Sequence, residues 1–196
     1  MLIRALRVFS AINTRVLLLA RFSASLALGM MVIVILLQVF FRYVLNDALS
    51  WPDELSRFLM LWMACLMAPS AFRWGGFVAI DMFIRNLPLF MGRLLSLMLL
   101  LMSGTVLWVG VKHGYDHTLG FAGTFTSSSL RLPLDLIGME LIKVKLKYMY
   151  ASLFIGTGLM LAINIELLIR CIIQIIYGDV EQPSIDRPAI YILGPE

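Results

Sequence analysis

Three charged side chains open a long apolar run in this chain: Asp53, Glu54 and Arg57, directly behind Trp51 and Pro52. On a helix, residues three and four apart are neighbours, so both carboxylates can reach the Arg57 guanidinium on one face. Acids in a first turn also meet the positive end of the helix dipole. Pro52 suits a first helical position, and Trp51 suits a membrane–water interface. The group fits a scaffold or docking contact better than catalysis, although an ordinary solvated helix start would use the same residues. A second pairing is His113 and His117, four apart with Asp116 between them. Histidines at that spacing can hold a metal on one helical face. The segment lacks the glutamate of the metalloprotease motif, however, and Gly114 weakens its helix. Interfacial polar residues are the better reading.

The surroundings of these residues define the class of protein. Of 196 residues, 61% are hydrophobic and 14% charged, with a mean hydropathy of +0.92. A soluble domain of this size carries far more charge, so the composition describes an integral membrane protein. The net charge of +4 comes mostly from arginines flanking apolar segments. They read as anchors and topology signals, and no nucleic-acid partner is expected. Cys65 and Cys171 stand far apart and read as small membrane-helix residues, without a disulfide framework. A cleaved signal peptide is not expected, because the first apolar run is long and no small-residue cleavage site follows before Arg42.

Four apolar runs reach the roughly 20 residues that a membrane helix needs, with spans at about 22–41, 54–72, 94–112 and 148–170. The fold class expected is an all-α integral membrane protein with four transmembrane helices plus short interfacial amphipathic helices. Residues 1–178 would form one four-helix membrane domain, and 179–196 an extended cytoplasmic tail. Residues 1–21, with Arg4, Arg7, Arg15 and Arg21, read as a basic amphipathic lead-in on the membrane surface. Phe77–Leu87 reads as a short interfacial helix stopped by Pro88. Residues 113–133, rich in Gly, Ser and Thr, read as a loop. Asp135–Lys147, with Lys143, Lys145 and Lys147, reads as another interfacial helix. The N-terminal arginines and the even number of spans put both termini in the cytoplasm. Within the spans only mild polar residues are counted: Gln38, Ser70, Ser103, Thr105, Thr157 and Asn164. With no charge at membrane depth, no internal repeat and no broken helix, the chain offers no substrate pathway of its own.

The stretch from Phe41 to Asp81 resembles the small (Q-type, DctQ-like) membrane subunit of tripartite ATP-independent periplasmic (TRAP) transporters. Arg42, Tyr43 and Asn46 match the family's first element, and Trp51, Glu54 and Arg57 its Trp-x-Glu-Glu-x-x-Arg element. Trp62 fits the following helix, and Arg73, Gly75 and Asp81 fit the closing Arg-x-Gly…Asp element. Asp53 replaces a usual glutamate, Phe77 stands where histidine is common, and beyond Pro133 this chain carries an extra lysine-bearing stretch.

The resemblance implies a non-enzymatic scaffold subunit of a sodium-coupled secondary transporter in the bacterial inner membrane. Its partners would be a large multi-span permease subunit, a periplasmic binding protein that delivers a small organic anion, and membrane lipids. No cofactor, metal, catalytic residue or substrate-binding residue is implied. Trp51, Asp53, Glu54 and Arg57 would brace the periplasmic face. Arg42 and Tyr43 would fix the end of the first helix, and Arg73 and Asp81 the cytoplasmic interface. Two alternatives stay open: a haem- or metal-binding membrane anchor of a redox enzyme, through His113 and His117, and a small self-oligomerising exporter.

Overall fold

A computed structural model describes residues 2–47, 49, 51–75, 88–120, 126–132 and 142–178. Among the described residues four helices carry the structure: α1 (Leu2–Tyr43), α2 (Trp51–Arg73), α3 (Leu89–Leu119) and α4 (Lys147–Tyr177). All four are long and apolar enough to cross a membrane. The all-α membrane class expected from composition is therefore the class observed. A small antiparallel ribbon joins α3 to α4, made of β1 (Thr126–Leu132) and β2 (Ile142–Lys145). Two strands alone are marginally stable, and here β1 also rests against α2.

The helices pack as a row rather than a closed bundle. α1 lies against α2, α2 against α4, and α4 against α3, while α1 meets α4 over a smaller area. Most apolar side chains on the outer surfaces are exposed, as they must be where lipid or another protein is the solvent.

The largest departure from the sequence reading is α1, a single helix of 42 residues, about 63 Å at 1.5 Å per residue. Its first 21 residues are not a separate surface lead-in. Leu6, Ser10, Asn13, Leu17, Ala20, Ala24 and Ala27 are buried. Their alternating spacing of four and three is that of a helix seam that keeps one stripe against its neighbours. Small alanines in that stripe let backbones approach closely, which is how membrane helices gain packing energy.

Two residues of the family-like motifs turn out to be helix stops. Asn46 adopts φ 55 just past α1, where Asp47 N–H closes back on Phe41 O at 3.1 Å. Gly75 adopts φ 112 just past α2, a conformation that only glycine takes without strain. Two further expectations are corrected. The segment read as a loop over 113–133 contains the last turns of α3 and all of β1. The interfacial helix expected over 135–147 is replaced, in its described part, by β2 followed by the start of α4. Isoleucine and valine alternating with lysine in Ile142–Lys145 favour a strand over a helix. The interfacial helix at 77–87 and the tail at 179–196 lie outside the described residues.

Candidate functional site

Helix α2 carries one polar group at each end, and both reach across to neighbours. At its Trp51 end, Gln38 Nε2 of α1 donates to Asp53 Oδ1 at 2.8 Å. Arg42 lies 6.0 Å from the centre of the Tyr43 ring, and both side chains are exposed. Trp51 and Glu54 are half-buried and Pro52 is buried. Arg57 is exposed, and among the described residues no ion pair joins it to Asp53 or Glu54. The three-way charge cluster read from spacing is thus replaced by a link between helices through Asp53.

The Arg73 end holds a denser arrangement. Arg73 is 3% exposed and Glu166 is 0% exposed, so both charges have left solvent and need partners. Arg73 Nη2 donates to Glu166 Oε1 at 2.8 Å and to Ser10 Oγ at 2.9 Å. Arg73 Nη1 donates to Thr14 Oγ1 at 2.7 Å. One turn further along α4, Arg170 donates to Glu166 Oε1 through Nη2 at 2.9 Å and Nε at 3.2 Å. Its Nη2 also reaches Ser10 Oγ at 3.0 Å. Asn13 Nδ2 completes the carboxylate's shell, donating to Oε2 at 2.8 Å. Three helices meet in this node, and α1 contributes only neutral groups to it.

Glu166 is a fully buried charge inside a helix long and apolar enough to cross a membrane, and the count of mild polar residues within the spans passed over it. It sits inside α4, sixteen residues past Tyr150, which is roughly 24 Å along the helix, and the stretch from Cys171 to Ile176 beyond it is apolar apart from Gln174. The sequence did carry a signal: Glu166 and Arg170 stand four apart inside one long apolar helix, an arrangement that neutralises itself. Arg73, expected to fix the cytoplasmic interface helix, is the buried third member. Asp81 lies outside the described residues.

Further contacts tie the remaining helix pairs. Trp62 Nε1 of α2 donates to Tyr148 O of α4 at 3.2 Å. Pro69 cannot donate to Cys65 O, and Gly156 of α4 lies against that carbonyl; a Cβ there would come within 2.9 Å of it. Between α3 and α4, Asn164 Nδ2 donates to Ser103 Oγ at 2.6 Å, and Arg93 Nη1 donates to Gln174 O at 3.1 Å. His117 stacks on Tyr150 with ring centres 5.6 Å apart, while His113 and His117 are both exposed and 6.5 Å apart. Among the described residues, no three His, Cys, Asp or Glu side chains gather where they could hold a metal. Near this end of α3 and α4, Tyr115 also packs against Phe154, with ring centres 6.0 Å apart, as interfacial aromatics do.

Each neighbouring pair of helices is therefore held at two heights or more. A single tie would let two helices pivot, whereas ties at both ends resist sliding and splaying together. For α1 and α2 the ties at Asp53 and Arg73 are twenty residues apart, about 30 Å of helix. Such an arrangement can keep a shape under load.

Comparison with known proteins agrees with this picture. Residues 31–174 match the family described as the DctQ component of tripartite ATP-independent periplasmic transporters. A Haemophilus influenzae protein, provisionally named a TRAP transporter small permease protein, is 36% identical over 63 residues. That stretch is 32% of this chain and 39% of the relative.

Proposed function

The chain belongs to the DctQ component family of tripartite ATP-independent periplasmic transporters, and from that premise we propose that it is the rigid scaffold of a secondary transporter. The observation that carries this reading is the pinning of every neighbouring helix pair at separated heights: Gln38–Asp53 and Ser10–Arg73, Trp62–Tyr148 and Arg73–Glu166, Ser103–Asn164 and Arg93–Gln174. Lipid tails give membrane helices no hydrophobic drive to associate, so a lasting complex needs broad, shape-complementary faces. A row of four helices held at fixed angles supplies such a face.

In this reading a larger multi-span permease moves the solute and packs against the row. A periplasmic binding protein delivers a small organic anion, and a sodium gradient drives uptake. The Trp51 end faces the periplasm, where Trp51, Asp53, Glu54, Arg57, Arg42 and Tyr43 stand as candidate contacts. The Arg73 end faces the cytoplasm, both termini lie on that side, and the membrane is the bacterial inner membrane. Catalysis plays no part.

The test is co-purification. Tagged chain extracted in mild detergent from its native host should bring down a large multi-span permease in fixed ratio. Recovery of the chain alone, or only as its own oligomer that transports a solute, would overturn the scaffold reading.

A further inference from the structure

α2 stops at Arg73, but its neighbours do not. From Glu166, α4 continues eleven residues to Tyr177, roughly 16 Å. From Asn13, α1 continues eleven residues to Leu2 in the opposite chain direction. α1 and α4 meet directly at the Asn13–Glu166 bond. Leu6 lies seven residues from Asn13, and Ile173 seven from Glu166. Both therefore fall on the bonded face two turns past the Asn13–Glu166 bond, and both are buried, at 1% and 0% exposure.

We propose that the N-terminal half of α1 is a clasp, closed over the Arg73 end of the protein by hydrogen bonds at Ser10, Asn13 and Thr14. Its grip has three parts. Asn13 holds Glu166 of α4. Ser10 and Thr14 receive the Arg73 guanidinium of α2. Arg21 lies over the Trp74 ring at 5.1 Å, just past the end of α2. None of the three node residues on α1 is charged, so the Arg73–Glu166 ion pair between α2 and α4 persists when the clasp opens. This makes the clasp separable from the rest of the row.

The opposite face of the same segment explains why it can exist in a second position. Arg7 and Arg15 are exposed there beside exposed Val8, Ile12 and Leu19. An amphipathic basic helix of that kind is stable on an anionic membrane surface. The closed position is thus set by neutral hydrogen bonds and a short apolar seam, and the alternative is the bilayer surface. The inference concerns this chain alone and stands whether or not a permease partner is found.

The experiment places spin labels at Ala11 of α1 and Met91 of α3, both exposed, in protein reconstituted in lipid, with Cys65 and Cys171 replaced by alanine. A reference pair at Asn46 and Leu119 reports the other end. The unmodified clasp should give one narrow distance distribution at each pair. Ser10→Ala with Asn13→Ala should at least double the width at the Ala11–Met91 pair and leave the reference pair unchanged. An unchanged narrow distribution at Ala11–Met91 would overturn the proposal, as would equal broadening at both pairs. Should that double variant fail to fold, Thr14→Val, which removes the Nη1 acceptor of Arg73 together with the bond Thr14 Oγ1 donates to Ser10 O within α1, should give a partial broadening confined to the same pair; no broadening there would equally overturn it.

Discussion

Replacing Glu166 by glutamine removes one negative charge and almost no volume, so its cost reports the electrostatics of the node. The carboxylate accepts four hydrogen bonds, from Arg73 at 2.8 Å, Arg170 at 2.9 and 3.2 Å, and Asn13 at 2.8 Å. Glutamine keeps one acceptor oxygen but strands two buried guanidiniums and turns an amide donor toward Asn13. Breaking a buried ion pair by removing one partner costs about 3–5 kcal/mol. For a chain of this length, each kcal/mol moves the unfolding midpoint by about 2–4 °C, so Glu166→Gln should lower it by roughly 6–20 °C. The assay is thermal unfolding in mild detergent, followed by the fraction remaining monodisperse at a fixed heating rate, because unfolding there is a rate measurement.

A companion variant separates charge from packing. Glu166→Gln combined with Arg73→Met and Arg170→Met leaves no stranded charge, and apolar replacement of a buried ionic triad is often neutral or stabilising. It should recover most of the lost midpoint. A Glu166→Gln protein within about 2 °C of the parent would refute the reasoning, as would a triple variant no better than the single one.

The contact between α2 and α4 gives a second test. A Cβ at Gly156 would stand 2.8 Å from Cys65 Cβ, so Gly156→Ala should destabilise by about 1–3 kcal/mol in the same assay. Gly158 has nothing within 4 Å of that position, so Gly158→Ala should be neutral or gain up to about 1 kcal/mol from helix propensity. For α3 and α4, a double-mutant cycle on Ser103→Ala and Asn164→Leu should return a coupling of about 0.6–2 kcal/mol; a coupling near zero would remove that tie from the account. Orientation is checked with single cysteines at Ala11 and Asn46, in a background without Cys65 and Cys171. An impermeant reagent outside sealed cells should modify Asn46→Cys and spare Ala11→Cys, and the reverse pattern would invert the topology.

The four helices were legible in the sequence because long uncharged runs have few other physical outcomes in water. Asn46 and Gly75 were visible as motif residues, and the structure supplies their physical role as helix stops with positive φ. What stayed hidden depended on which faces meet. Ser10, Asn13 and Thr14 among arginines look like a surface helix until α2 and α4 are seen to bury one side of them. Glu166 drew no notice inside the 148–170 span, since its partners stand 93 and 153 positions away in Arg73 and Asn13. Arg57 shows the converse limit. Helical spacing made an ion pair with Asp53 or Glu54 available, but Asp53 bonds Gln38 across the helix interface instead. The strand at Ile142–Lys145 was hidden because its partner, β1, lies in a segment whose serines and threonines also suit a loop.

The central claim is that this protein supports transport without providing the path. It is tested most directly by sodium-driven uptake into proteoliposomes made with the large permease and its binding protein, with and without this chain. The account predicts uptake only when the chain is present, and none from the chain alone. Full uptake by the permease and binding protein in its absence would contradict it.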